Sequence, residues 1–191
     1  MVKKYNEPID YIIDEKLDGI FCLIVYNNKE IKIYTRDNGT EGQDISHIKT
    51  LIKGVSDIKD INITVRDELI ISRKDWDQSF GSNARNVVAG TINSKILNIK
   101  ILKNIQFDAY DLMSKRFPIK ETLEYIKSLG FNTVNYKQIN NLSLDLLSSL
   151  LQEWRKSSDI EIDGIVLTPS ANNKPSMPEV DYKWNDTNID I

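Results

Sequence analysis

The stretch Tyr11-Ile-Ile-Asp14-Glu15-Lys16-Leu17-Asp18-Gly19-Ile20-Phe-Cys22-Leu-Ile-Val-Tyr26, continued by Asn27-Asn28-Lys29 and Glu30-Ile-Lys-Ile-Tyr-Thr-Arg36, decides the fold. Tyr11–Lys16 and Ile20–Tyr26 are rich in β-branched and aromatic residues. In Glu30–Arg36, Ile31 and Ile33 alternate with Lys32 and Tyr34, so all three segments predict strands. Asn27-Asn28-Lys29 predicts the hairpin turn between the last two. At the end of the first strand, Lys16 is followed by Asp18 and Gly19, which sets an amine beside a carboxylate at a tight turn. An amine attacks only when unprotonated, and a free lysine titrates at about 10.4. Burial or a nearby cation would bring that value down toward neutrality. Taken alone, the string is a weak signal and better fits a surface turn with an ion-paired lysine.

Further along, Asp44–Lys53 predicts a short helix closed by Gly54, and Ile61–Ser72 a strand. Asp75–Phe80 and Asn83–Ile92 predict helices, and Ile105–Leu112 another strand. Pro118–Leu129 starts with proline and stops at Gly130, as helices do. Leu142–Trp154 is amphipathic, Glu161–Thr168 is strand-like, and Pro169–Pro178, with three prolines, predicts a loop. Strands of antiparallel character with helices between them, and no regular βαβ alternation, predict an α+β domain.

The bulk properties set limits. The 191 residues suffice for one domain with its own core, and the hydrophobic (40%) and charged (28%) fractions are those of a globular chain. The most apolar run, Ile20–Tyr26, falls far short of the ~20 residues of a membrane span. No apolar region follows Lys3 and Lys4, so no secretory signal is read and a cytoplasmic setting is expected. The sole cysteine, Cys22, lies in an apolar strand pattern and predicts a buried thiol. The net charge of −3 argues against a surface that grips nucleic acid everywhere, but it leaves room for a local basic groove.

Four more segments carry candidate chemistry. Thr35-Arg36-Asp-Asn-Gly39-Thr-Glu-Gly42 is a polar turn in which two glycines allow close backbone approach. Val65-Arg66-Asp67-Glu68-Leu69 puts charges inside a β-branched run, so they face either solvent or a site. Phe80-Gly-Ser-Asn83-Ala-Arg85-Asn86 opens a helix with an arginine in its first turn, where a cation is disfavoured unless an anion binds. Glu161-Ile-Asp163-Gly164-Ile-Val166-Leu adds a strand-borne acid, and Asp181-Tyr-Lys183-Trp a second lysine.

In order, these segments resemble the adenylation domain of bacterial-type NAD-dependent DNA ligases, from residue 11 to about 185. The resemblance implies the nucleotidyltransferase fold of DNA ligases and mRNA capping enzymes. It implies that Lys16 attacks the α-phosphate of NAD, expels nicotinamide mononucleotide and becomes lysyl-AMP, before AMP passes to the 5′-phosphate of nicked double-stranded DNA. Asp18 would sit by the reacting phosphate and bias Lys16, while Asp163 would place the lysine or Mg²⁺, with Glu68 as a second metal contact. Lys183 would neutralise charge on the phosphate. Asp14, Glu15, Leu17, Gly19, Arg36, Glu68, Arg85 and Val166 would line the donor site, with Glu68 and Arg36 on the ribose side and Arg85 on a phosphate.

The match has departures. Asp14 stands where the family has glutamate, Asn93 and Thr168 stand at two of its cationic positions, and Ala84 replaces its proline. Residues 1–191 read as a single adenylation domain. No segment for binding the nicotinamide half, and no OB-fold, zinc, helix-hairpin-helix or BRCT module, is read in them. A second ligase subunit supplying the OB-fold and nicotinamide-binding functions is therefore expected, as in a split phage or viral enzyme. Two other readings compete: a stand-alone DNA or RNA ligase using ATP or another donor, and a degenerate domain that binds nucleotide or nicks without catalysis.

Overall fold

The first two strands, expected as sequence neighbours, belong to different sheets. In the computed structural model, which describes residues 10–28, 30–36, 42–55, 61–115 and 117–170, β1 (Tyr11–Leu17) is the middle strand of a three-stranded sheet. Its neighbours are β8 (Tyr136–Ile139) and β9 (Ile162–Pro169), both antiparallel to it. After Asp18 and Gly19 the chain enters β2 (Ile20–Asn28), inside a six-stranded sheet. There it lies between β3 (Glu30–Arg36) and β5 (Ile61–Ile71). Beyond them β4 (Gly42–Asp44) closes one edge, and β6 (Ile105–Leu112) and β7 (Asn132–Thr133) the other. The architecture is α+β with antiparallel sheets; among the described strands β6 and β7 pair in parallel, and Lys53 makes an isolated parallel bridge to Gln106.

Gly19 makes the crossing between the sheets possible. A Cβ on it would come within 2.6 Å of Ile70 Cγ2 and 2.7 Å of the Leu69 carbonyl, so the connection presses on the backbone of β5. At the next turn Asn27 pairs with Glu30, and Asn28 takes the left-handed φ of 54° that asparagine tolerates.

Each sheet buries its own apolar cluster. Cys22, Ile24, Ile33, Val65, Leu69 and Phe107 project from one face of the large sheet into the main core. That core is covered by α1 (Ala84–Ile92) through Val88 and Ile92 and by α2 (Ile99–Leu102) through Leu102. A second core gathers Ile13 and Leu17 of β1 and Ile70 of β5. Leu123 of α3 (Ile119–Ser128) and Leu150 and Trp154 of α4 (Leu144–Ser157) complete it. Ile70 thus ties the large sheet to the small one. Burying such side chains contributes roughly 1.5–3 kcal/mol each.

Two expectations need correction. Asp44–Lys53 is not a helix but β4 followed by one 3₁₀ turn at Ser46–Ile48, because Asp44 caps Ser46 N–H at 2.8 Å and Ser46 Oγ holds Ile33 N–H. Asp75–Phe80 shrinks to a 3₁₀ turn at Gln78–Phe80 capped by Asp77, since Asp75 instead pairs with Lys53 at 2.7 Å. The short β7, β8 and α2 carry too few residues for any periodicity to announce them. Cys22 is fully buried and unpaired, as expected.

Candidate active site

Lys16 sits where the alternation of β1 brings it out of the core. Ile13 and Leu17 point into the second core, and Glu15 takes the same direction. Asp14 and Lys16 therefore share the opposite face. Register places Gly164 beside Lys16 and Val166 beside Asp14, so this face also carries Val166, which is partly exposed. A bulge interrupts the β1–β9 ladder between Lys16 and Leu17: Lys16 pairs with Gly164 and Leu17 with Ile162, which leaves Asp163 without an opposite number. A bulge re-aims a side chain. Here it turns the Asp163 carboxylate onto the Lys16 ammonium, Oδ2 to Nζ at 2.7 Å. From α4, Arg155 donates to the Asp163 carbonyl at 2.9 Å and fixes the bulge from behind.

The large sheet supplies the facing wall. Glu68 of β5 is mostly buried, its Oε2 has no hydrogen-bond partner, and burial pushes its carboxyl up to about 7. Arg85 and Lys16 oppose that rise, while Asp163 and Asp18 add to it. All four groups are therefore close enough to Glu68 to be felt. Arg85, in the first turn of α1, bonds Asp18 Oδ1 through Nη1 at 3.0 Å. The helix start is held by Asn83, whose Oδ1 accepts from Asn86 N–H at 3.0 Å. Two ion pairs, Lys16–Asp163 and Arg85–Asp18, thus stand at the crossing between the sheets, beside a buried acid with an unused oxygen.

Asp14 repeats the pattern. It is 5% exposed, its Oδ1 has no partner, and burial, aided by Asp111 and Glu15, pushes its carboxyl up to about 7. A buried acid without a partner is destabilising unless something arrives to bond it. Glu15 Oε1, Arg66 Nε and both Asp67 oxygens are likewise without a partner, but Asp14 lies on the Lys16 face of β1 and Glu68 feels Lys16 and Arg85, so these two are the acids whose missing hydrogen bonds a ligand at Lys16 can complete.

The expected site residues are placed as follows. Asp163, expected to place the lysine or Mg²⁺, contacts Lys16 through the bulge, while Asp18 is held by Arg85. Glu15 and Leu17 turn their side chains away: Glu15 Oε2 accepts from Asn135 N–H and Nδ2 at 3.2 and 3.0 Å, and Leu17 is core. Arg36 is exposed at the end of β3 and makes no ion pair among the described residues. Lys183, with the Asp181–Trp184 segment, lies outside the described residues, as do Gly39 and most of the Pro169–Pro178 loop. Among the described residues no three His, Cys, Asp or Glu side chains form a metal-holding group. Asp163 and Asp18 both act electrostatically on Glu68, and Mg²⁺ takes one or two carboxylates and completes its shell with phosphate oxygens and water.

Three residues escaped the sequence reading. Arg155 looks like an ordinary basic residue in the last turn of a helix. Asn135 sits in a short link between β7 and β8 and anchors the residue preceding Lys16. Tyr110 is displaced by a bulge in β6, is half-buried against the second core, and has its hydroxyl pushed above the usual tyrosine range by burial and by Glu68. An aromatic among Asp108, Asp111 and the charges of β5 was the available signal.

Comparison with known proteins agrees with this geometry. The family model of the NAD-dependent DNA ligase adenylation domain matches residues 1–174. A mimivirus protein named DNA ligase is 37% identical over 180 residues, covering 91% of this chain and 28% of that protein. A Clostridioides difficile DNA ligase is 30% identical over 209 residues, covering 95% of this chain and 30% of its own length. The chain thus spans less than a third of these relatives. Among solved structures, the ligase domain of M. tuberculosis LigD superposes with a TM-score of 0.55 at 12% identity, over 84% of this chain and 49% of that one, which is a likeness of fold.

Proposed function

The chain belongs to the NAD-dependent DNA ligase adenylation domain family, and from that premise we propose that it forms a lysyl-AMP intermediate at Lys16 with NAD as donor. The observation that carries the proposal is the 2.7 Å contact between Lys16 Nζ and the bulge-borne Asp163, with Glu68, Arg85 and Asp18 around it. Asp163 Oδ2 accepts a proton from the Lys16 ammonium, and the freed amine attacks the α-phosphorus of the adenylyl group. The bond to the nicotinamide mononucleotide phosphate breaks, that phosphate leaves with the electron pair, and a phosphoramidate remains. Arg85, freed from Asp18, meets the leaving phosphate. Asp14 bonds the base and Glu68 the ribose, each filling a hydrogen bond missing in the free protein. Mg²⁺ on Asp163 and Glu68 would supply charge neutralisation at the phosphate.

In the second step a 5′-phosphate oxygen at a DNA nick attacks the same phosphorus and the P–N bond breaks, with a proton returning to Lys16. The 3′-hydroxyl then displaces AMP and seals the strand. Lys183 is assigned to the α-phosphate, and residues 1–191 to one domain. Nicotinamide binding and enclosure of DNA are assigned to protein outside these residues, in the form of a second subunit. The setting is intracellular, and no helix among the described residues is long and apolar enough to cross a membrane.

ATP is the competing donor. A screen with equal concentrations of NAD and ATP, each carrying label in the adenylyl group, separates the two. Label incorporated from NAD supports the reading. Label from ATP alone would replace the donor and keep the lysine.

A further inference from the structure

β1 has a strand on each side for only part of its length. β9 pairs with it from Tyr11 to Leu17, but β8 pairs with it only from Tyr11 to Asp14. Beyond Asp14, on the way to Lys16, that second edge is taken over by Asn135. Its carbonyl accepts from Glu15 N–H at 3.1 Å. A regular antiparallel pair would return the Asn135 N–H to the Glu15 carbonyl. Here it goes to the side chain instead: Asn135 N–H and Nδ2 both donate to Glu15 Oε2, at 3.2 and 3.0 Å. Three bonds thus clamp the residue that precedes Lys16. Glu15 is 4% exposed and its Oε1 has no partner, so among the described residues Asn135 supplies the hydrogen bonds to this buried carboxylate. Removing the donors of such a group is costly.

Asn135 is itself placed by both sheets. β7, just before it, pairs with β6 of the large sheet, and Val134 N–H donates to the Ala109 carbonyl at 3.2 Å. Val134 is buried in the second core. β8, just after Asn135, pairs with β1 in the small sheet. The charge of Glu15 is felt by Asp14 of the small sheet and by Asp108 of the large one, which sets it at the seam. The strand carrying Lys16 is therefore fastened to the large sheet at two places, the Asp18–Gly19 crossing and the Asn135 clamp. Lys16 lies between them.

Resting on the lysyl-AMP reading above, we propose that Asn135 is a positioning residue, which through Glu15 fixes where β1 holds Lys16 relative to the Glu68 wall. Glu15 and Lys16 point to opposite faces of the strand, so Asn135 acts through the backbone and not on the reacting atoms. Without the clamp this end of β1 is guided by β9 alone, and that ladder is interrupted by the bulge between Lys16 and Leu17. In-line attack tolerates little error, since a misplacement of about 1 Å can cost roughly 10²-fold in rate.

The test is single-turnover transfer of AMP to the 191-residue chain from a nicked duplex already adenylated at its 5′-phosphate, over a series of duplex concentrations. Asn135 is exposed, so Asn135→Ala opens no cavity in the core. It lowers the saturating rate about tenfold or more and leaves the half-saturating concentration within about twofold of wild type. Asn135→Asp sets two carboxylates against each other and is at least as slow. The double variant E15Q/N135D exchanges donor and acceptor and recovers most of the wild-type rate, a rescue that a general loss of stability would not give. Wild-type rates in both single variants, a loss expressed only as weaker duplex binding, or a double variant no faster than Asn135→Asp overturns the clamp. Amide hydrogen exchange at Glu15 and Lys16 keeps the two readings apart. If wild type forms no lysyl-AMP from this duplex or from NAD, the ligase reading falls and exchange decides the clamp: faster exchange in Asn135→Ala upholds it, and unchanged exchange overturns it.

Discussion

Acids crowd the crossing between the sheets, here called the cleft, and are missing from α1 and α2 themselves. In the cleft Asp14 and Glu68 are buried with unused oxygens, both carboxyls pushed up to about 7, and Asp18 and Asp163 each hold a cation. Along α1 and α2 the cations are exposed and the acids absent. The first arrangement is unfavourable in the free protein and is relieved by a ligand with donors and cations. The second carries no such internal tension and acts at longer range. Arg85, in the first turn of α1 and paired with Asp18, stands at the boundary between the two regions.

Breaking the cleft should have the larger consequences. Asp163→Asn keeps the shape of the bulge but removes the proton acceptor at Lys16, and adenylation should slow by about 10²–10³-fold in a single-turnover assay. The melting temperature should move little, because the Lys16–Asp163 pair is half exposed to water. Gly19→Ala drives a methyl group into Ile70 and the Leu69 carbonyl, and should destabilise the fold by about 1–3 kcal/mol in denaturant unfolding.

Asp14 gives a sharper comparison. Its folded pKa, about 7, lies above the ordinary 3.8, so the folded state binds the proton more tightly. That contribution is fully present below the unfolded value and is lost as pH rises through about 7. Between pH 5.5 and 7.5 the unliganded protein should lose about 2 kcal/mol of stability from this group, and Asp14→Asn should flatten that part of the profile.

Much of this contrast was readable in the residues. Strands β1, β2, β3, β5, β6 and β9 announced themselves through alternation and β-branching, while Lys16 before Asp18 and Gly19 became a candidate only through the order of all the segments together. What could not be read was pairing. Nothing local reveals that β1 and β2 part into separate sheets, or that a one-residue bulge hands Lys16 to Asp163 while Asp18 goes to Arg85. Those facts depend on contacts 147 and 67 residues apart in sequence. Glu15 misleads for the same reason: it adjoins Lys16 in sequence and faces the other way in space, onto Asn135. The supposed helix at Asp44–Lys53 failed because side-chain caps on Ser46 and Ile33 outcompeted helical bonds.

The claim that Lys16 is the AMP-accepting residue is tested most directly by peptide mass mapping after incubation with Mg²⁺. Two donors are offered: NAD, and separately a nicked duplex already adenylated at its 5′-phosphate, which can pass AMP back to the lysine without a nicotinamide site. The account predicts one adenylyl group, acid-labile as a phosphoramidate is, on the peptide containing Lys16, and none in Lys16→Ala. An adduct on another residue, an adduct that survives Lys16→Ala, or no adduct from either donor would contradict it.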